Sequence, residues 1–105
     1  MFTADGNNMK DIELSIFVPC YNEQNDIALA LNNIKEGVRN IDFEVLIADD
    51  CSTDKSIEVI KKFINENPEM NIKLFCNSTN KGLGHNFWEI SHKAIGKYYM
   101  IIFGD

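Results

Sequence analysis

The sequence predicts an α/β fold with an open, doubly wound, mainly parallel sheet and helices on both of its faces. Four short apolar runs rich in β-favouring residues alternate with three stretches whose apolar residues recur at helical spacing. Strands and helices that alternate in this way require right-handed crossovers, which make the strands parallel. The 105 residues, of which 45% are hydrophobic, are enough for one hydrophobic core.

The first predicted strand is the run LSIFV, which begins at Leu14 and stops at Pro19. A continuous apolar run of this length is typical of a strand that is buried on both faces of a parallel sheet. Asn22 is placed to cap a helix over about residues 23–37, whose buried positions are Ile27, Leu31, Ile34 and Val38. The polar residues 1–12 predict a flexible leader, so the domain is expected to cover residues 13–105.

The second strand is predicted over residues 43–48, where the run FEVLIA ends abruptly in a polar cluster. Ser52 or Thr53 is expected to cap the next helix, and Asp54 suits the positive end of its dipole. This helix is expected to stop before Asn67, and its buried stripe consists of Ile57, Ile60, Phe63 and Ile64.

Residues 72–76 predict the third strand, and the turn-forming stretch NSTNKGLG over residues 77–84 separates it from a third helix. That helix is expected to end at Gly96, and its apolar positions are Phe87, Ile90, Ala94 and Ile95. Residues 98–103 complete the alternation as a fourth strand.

The charge balance and the cysteines limit the classes of partner. Ten basic and sixteen acidic residues give a net charge of −6, which disfavours nucleic acid as a partner. The three cysteines form no C-x-x-C pair, so we expect neither a disulfide framework nor a zinc site built on thiolates. With no signal peptide or spanning run in the sequence, we predict a cytoplasmic location, with the cytoplasmic face of the membrane left open for a longer protein.

The acidic pair Asp49 and Asp50 follows the second strand. Doubly wound sheets bind their ligands beyond the carboxyl ends of the strands, so this position is a candidate site. Successive side chains of a strand point to opposite faces, and we therefore assign Asp50 to the cleft and expect Asp49 to face outward. The alternative is that both residues are turn and capping residues for the next helix.

Two further segments lie at the same edge of the predicted sheet. Pro19, Tyr21 and Glu23 follow the first strand, and a rigid proline beside a flat aromatic ring suits a planar base. Lys81 and Gly82 precede the third helix, where backbone N–H groups and the helix dipole attract anions such as phosphate. The alternative for both segments is an ordinary turn that leads into a helix.

Asp105 follows the fourth strand. Its carboxylate suits Mg²⁺ or Mn²⁺, which prefer oxygen ligands and commonly bridge to substrate phosphates, but a metal site needs further ligands. His85 and His92 lie two helical turns apart, about 10 Å by helix rise, which is too far for one metal ion to bridge. We therefore expect both histidines to be structural or surface residues.

Three segments stand out in chain order: SIFVPCYNEQNDI, FEVLIADDCSTDKS and NKGLGHNFWEISHKAIGKYYMIIFGD. They resemble the opening half of a family 2 glycosyltransferase with the GT-A fold, over residues 14–105. The first is similar to the family's P-x-Y-N-E, the second to its D-D-x-S-x-D, and the third to its N-x-G-x-G stretch that leads to a metal-binding D-x-D. The resemblance implies a fold like that of nucleotide-diphospho-sugar transferases, truncated here at its C-terminus.

The resemblance also implies a nucleotide-sugar donor of the UDP or GDP type. In this sequence the implied donor contacts are Pro19, Tyr21, Glu23 and Asp50, with Lys81 and Gly82 in the loop beside the nucleotide. Asp105 matches the first Asp of the D-x-D, whose Mg²⁺ or Mn²⁺ neutralises the diphosphate leaving group. The family's general base is expected beyond Asp105, so no catalytic residue is assigned and the chain is expected to be the donor-binding half. The acceptor glycan or lipid is not assigned.

Two other functions fit parts of the sequence. A truncated domain would act as an interaction module if it associated with itself through an exposed sheet edge. The run VLIADD also resembles the acidic strand end of phosphorelay receiver domains. A receiver carries its acid pair after the first strand, whereas a complete strand and helix precede the pair here, which weighs against this alternative.

Overall fold

The computed structural model describes residues 11–104, which form one sheet with a helix between each pair of consecutive strands. The elements in chain order are β1 (Leu14–Cys20), α1 (Ile27–Gly37), β2 (Phe43–Asp49), α2 (Ser56–Glu66), β3 (Ile72–Cys76), α3 (Leu83–Ser91) and β4 (Tyr98–Ile101). The predicted leader, apart from Asp11 and Ile12, lies outside the described residues.

The four strands are parallel and lie in the order β3-β2-β1-β4. β1 pairs with β2 from Leu14↔Phe43 to Cys20↔Asp49, and it pairs with β4 over Leu14↔Tyr98 to Phe17↔Ile101. The strand order reverses at β1, because the chain first moves outward to β3 and then returns to the other side of β1. Open α/β sheets bind ligands beyond the strand ends at such a reversal.

Helices cover both faces of the sheet, as the sequence predicts. One face packs against α1 and α2 through a core that includes Ile16, Val18 and Val45. The opposite face packs against α3 through a smaller core of Phe17, Leu46, Ala48 and Ile90. Neighbouring residues of β1 therefore enter different cores, which explains why this strand is apolar at nearly every position. None of the described helices is long and apolar enough to cross a membrane.

The prediction that α1 begins near residue 23 is wrong, since the helix begins at Ile27. Asn22 does not cap it. The backbone of Asn22 has a φ of 51°, and its side-chain Oδ1 accepts a hydrogen bond of 2.8 Å from the N–H of Thr53. The local sequence predicts that the Asn22 side chain caps α1. In the structure this side chain instead binds the segment that follows β2.

The prediction that α3 extends to Gly96 is also wrong, because the helix ends at Ser91. A Cβ on Gly96 would lie 2.6 Å from both the backbone N and the Oγ of Ser15, so this glycine packs directly on the start of β1. The chain must leave the helix early to reach that position. β4 is likewise shorter than predicted and ends at Ile101, although the N–H of Ile102 still donates to the carbonyl of Phe17 at 2.9 Å.

A buried carboxylate anchors the turn between α3 and β4. Glu44 on β2 is fully buried, and its Oε2 accepts hydrogen bonds from Ser15 Oγ at 2.6 Å and from the N–H of Ile95 at 2.8 Å. Ser15 Oγ in turn accepts from the N–H of Gly96 at 2.8 Å. The other carboxylate oxygen, Oε1, lies 3.7 Å from the Nζ of Lys73. This network ties β4 to the centre of the sheet.

Candidate nucleotide-binding site

A pocket of about 310 Å³ lies beyond the carboxyl ends of β1 and β2, at the reversal of strand order. It contains every predicted donor-binding residue except Lys81. The lining residues are Pro19, Cys20, Tyr21, Glu23, Asp50, Asn80, Gly82, Leu83, Asn86 and Phe103. Larger cavities of about 510 and 390 Å³ lie at the amino ends of the strands and beside α1, and neither contains the acidic strand ends.

Asp50 lines this pocket, and three residues donate hydrogen bonds to its carboxylate. Its Oδ1 accepts hydrogen bonds from the backbone N–H of Lys81 at 2.7 Å and from the side-chain amide of Asn77 at 3.1 Å. Its Oδ2 accepts from the backbone N–H of Gly82 at 2.9 Å. Partial burial raises the pKa of Asp50, but these donors and the nearby Asn86 amide outweigh that effect and hold the pKa below its usual value. The group is therefore ionised at neutral pH.

The loop before α3 does not offer the anion site that the sequence suggests. The N–H groups of Lys81 and Gly82, which we expected to meet a phosphate, both donate to the Asp50 carboxylate. Gly82 has a φ of 87°, a conformation that glycine adopts without strain and that side chains disfavour. The glycine thus allows two consecutive amides to converge on one internal anion, and the exposed side chain of Lys81 stays outside the pocket lining.

Asp49 does not face outward as predicted, because its side chain is fully buried. Oδ2 of Asp49 accepts from the backbone N–H of Ser52 at 2.9 Å, and Oδ1 accepts from the hydroxyl of Ser52 at 2.6 Å. Asp49 therefore holds the turn after β2, which is the turn role given above as the alternative for the acidic pair.

The prediction that Ser52 or Thr53 caps α2 is wrong, since Oδ1 of Asp54 accepts from the N–H of Ser56 at 2.9 Å.

The loops after β1 and β2 are joined by hydrogen bonds. The backbone N–H of Asn22 donates to Ser52 Oγ at 2.9 Å, and that of Glu23 donates to Ser56 Oγ at 2.7 Å. The side-chain Oδ1 of Asn22 in turn accepts a hydrogen bond from the N–H of Thr53. The polar residues of the N-E and S-T-D motifs therefore bind one another. Their contacts hold Tyr21 and Asp50 on either side of one pocket.

Sequence reasoning missed the asparagines around Asp50. The side-chain nitrogen of Asn77 bridges Asp50 Oδ1 and the Oδ1 of Asn86, which lies 2.8 Å away. Asn80 donates from its side chain to the backbone carbonyl of Asp50 at 3.3 Å. The available signal was the presence of three asparagines in the ten residues 77–86, which include a glycine-containing turn. That composition is also typical of turns that bind nothing.

The three cysteines are free. Burial raises the pKa of the Cys20 thiol to about 12, which keeps it neutral although it borders the pocket. Cys51 has a φ of 66°, and its thiol lies 3.4 Å from the carbonyl of Ser78. His85 on α3 and His92, which directly follows α3, are both exposed, and His85 Nε2 lies 2.6 Å from Glu89 Oε2, consistent with surface roles.

The predicted metal ligand Asp105 lies outside the described residues. Within residues 11–104, no group of three acidic, histidine or cysteine side chains is placed to hold a metal ion. Asp50 and Glu23 line the pocket, but the Asp50 carboxylate is already surrounded by N–H donors. In the sequence, Asp105 follows the pocket residue Phe103 by two positions.

The chain is similar to known glycosyltransferases in sequence. The family "Glycosyl transferase family 2" matches residues 15–105. Poly(ribitol-phosphate) beta-N-acetylglucosaminyltransferase TarS of Staphylococcus aureus is 35% identical over 68% of this chain and 12% of its own length. Dolichyl-phosphate beta-glucosyltransferase of Dictyostelium discoideum is 29% identical over 94% of this chain and 32% of its own. The chain thus spans about a third or less of the length of these relatives.

Solved glycosyltransferase structures are also similar to this chain. The mannosyltransferase PcManGT from Pyrobaculum calidifontis, in complex with GDP-Man and Mn²⁺, superposes with a TM-score of 0.84 and 26% identity over 91% of this chain and 28% of its own. Staphylococcus aureus TarS in complex with UDP-GlcNAc has a TM-score of 0.78 and 29% identity over 90% of this chain and 27% of its own. These likenesses confirm the predicted GT-A fold. The chain belongs to glycosyl transferase family 2.

Proposed function

We propose that the pocket binds the nucleotide of a nucleotide-diphosphate sugar and that the protein transfers this sugar to an acceptor. The observation that carries the proposal is the meeting of Tyr21, Glu23 and Asp50, from two different crossovers, in one pocket at the reversal of strand order. Similar proteins have been solved with GDP-Man and with UDP-GlcNAc. Because the chain covers less than a third of those structures, transfer itself is proposed for the whole protein.

Each pocket residue has a chemical role in this proposal. The ring of Tyr21 is 49% exposed and stacks on the flat face of the base, beside the rigid Pro19. Asp50 accepts an N–H of the base, which its ionised carboxylate does strongly because a charged acceptor strengthens the hydrogen bond. The exposed ammonium of Lys81 lies in the loop beside the pocket and attracts the negatively charged diphosphate.

Asp105 is the proposed ligand of a divalent cation, either Mg²⁺ or Mn²⁺. When bound, the cation neutralises negative charge on the diphosphate leaving group. Carboxylate oxygen suits both ions. Support comes from Mn²⁺ in the similar mannosyltransferase structure.

Calorimetric titration of the 105-residue chain with UDP and GDP, in the presence of Mn²⁺, tests the proposal. Removing a stacking partner costs about 1–3 kcal/mol, so Tyr21→Ala is expected to weaken binding by about 5- to 150-fold. Asp50→Ala is expected to weaken it to a similar extent. Tyr98→Ala is the matched control, because Tyr98 is 57% exposed at the opposite end of the sheet.

The Tyr21 variant separates binding from folding. Tyr21 is an exposed residue of a loop, so its replacement should leave the melting temperature close to that of the wild type. The proposal fails if the folded chain binds neither nucleotide, or if Tyr21→Ala and Tyr98→Ala bind equally well.

A further inference from the structure

The hydrogen-bonding capacity of Asp50 is nearly filled before any ligand binds. An ionised carboxylate has about four lone-pair sites, two on each oxygen. Oδ1 already accepts from Lys81 and from Asn77, at 2.7 and 3.1 Å. Oδ2 accepts from Gly82 at 2.9 Å. These three bonds leave at most one acceptor site, on Oδ2, and the nearby Asn86 amide is a further donor that lowers the pKa of this carboxyl.

The donors to Oδ1 are held in place by the fold. The N–H of Lys81 belongs to the loop whose next residue, Gly82, also binds Asp50. The N–H of Asn77 donates to the carbonyl of Asp49 at 2.9 Å, which ties Asn77 to the end of β2. Its side-chain amide is held from the other side by Asn86, which is 4% exposed. These groups therefore have little freedom to release Oδ1 to a ligand.

Nucleobases differ in the number of N–H donors that they present to a carboxylate. Uracil presents one, N3–H, between two carbonyl acceptors. Guanine presents N1–H and the 2-amino group side by side, and this pair matches both oxygens of a carboxylate. With Oδ1 occupied, a guanine would leave its amino group against an oxygen that has no acceptor site, and a buried donor without an acceptor lowers affinity.

From this count we infer that Asp50 selects a uridine nucleotide over a guanosine nucleotide, and that Asn77 sets the preference by occupying Oδ1. The inference rests on the proposed contact between Asp50 and the base. Similar structures hold both GDP-Man and UDP-GlcNAc, so likeness alone leaves the base open. Asn77 is in this scheme a specificity-determining residue that acts through Asp50.

The test compares the dissociation constants of UDP, GDP and inosine diphosphate for the 105-residue chain in the same Mn²⁺ buffer. The diphosphate is common to all three nucleotides, so differences between their dissociation constants report on the base. UDP is expected to bind about tenfold more tightly than GDP, the effect of one hydrogen bond. Inosine diphosphate lacks the 2-amino group of guanine and is expected to bind more tightly than GDP.

Asn77→Ala frees one acceptor site on Oδ1 and is expected to bring the GDP-to-UDP affinity ratio several-fold closer to one. Asn71→Ala, at the amino end of the sheet, is the matched control and should keep the wild-type ratio. The inference is overturned if GDP binds as tightly as UDP, or if GDP binds more tightly than inosine diphosphate, a comparison that needs no variant. Binding of none of the three overturns the proposed function as well.

Discussion

Replacement of the buried Glu44 by alanine is expected to destabilise the domain without changing the pocket. The substitution removes the acceptor of two donors, Ser15 Oγ and the N–H of Ile95. A hydrogen bond to a charged group contributes about 1.5–3 kcal/mol, so two give about 3–6 kcal/mol. The contact with Lys73 at 3.7 Å adds little, because the Lys73 side chain is 50% exposed.

A loss of this size is a large part of the free energy of unfolding of a small domain, which is about 5–15 kcal/mol. Urea unfolding measures it, and with an m value of about 1–3 kcal/mol per molar the midpoint should fall by about 2 M. Glu44→Gln keeps the shape and an oxygen acceptor, so about half of the loss is expected. Glu58→Ala, an exposed position in the first turn of α2, is the control.

The nucleotide affinity of folded Glu44→Ala should equal that of the wild type, because the carboxylate lies at the amino end of β2 and the pocket lies at the other end. If Glu44→Ala and Glu58→Ala unfold at the same urea concentration, the hydrogen bonds at Oε2 do not anchor β4, and the account of the α3–β4 turn is wrong.

Three further predictions concern backbone geometry and charge. Gly96→Ala should lower the melting temperature sharply because its Cβ would lie 2.6 Å from Ser15 N, whereas Gly37→Ala, with nothing within 4 Å, should not. Cys51→Gly should stabilise the chain by about 0.5–1 kcal/mol in urea unfolding, since φ is 66° at Cys51, and the same change at Cys76 in β3 should destabilise it. Folding lowers the pKa of Asp50, so the ionised carboxylate stabilises the folded protein fully above the unfolded pKa near 3.8. This stabilisation is lost as the pH falls through the pKa of Asp50 in the folded protein. Acid unfolding curves should therefore be steeper below about pH 4 for the wild type than for Asp50→Asn, and parallel curves would contradict this assignment.

The strands were predictable because a parallel strand covered on both faces must be apolar along its length. The bounds of β3 agree with the prediction, and β2 extends one residue further, to Asp49. The prediction that β1 stops at Pro19 is wrong, since the strand continues to Cys20, and β4 ends two residues early, at Ile101. Helix ends were less predictable. Asn22 and Gly96 have contacts with Thr53 and Ser15, which are remote in sequence, and those contacts override the local preferences for capping and helix continuation.

Much of the pocket could also be predicted, because the carboxyl ends of parallel strands meet at one edge of the sheet. This rule alone places Tyr21 and Asp50 close together. The roles of the loop amides could not be predicted. The groups that contact the Asp50 carboxylate come from Asn77, Lys81 and Gly82, and a sequence pattern does not show whether such donors face a ligand or an internal anion.

The amino-acid sequence by itself determined the fold class, the order of the elements and the family, since these follow from apolar periodicity and from short motifs that are contiguous in the chain. Only the tertiary structure decided which polar residues bind one another and which remain for a ligand. Asp50 and its backbone donors are 31 and 32 residues apart, and Glu44 and Ile95 are 51 residues apart. Hydrogen bonds over such separations depend on how the crossovers pack, and local sequence carries no record of that geometry.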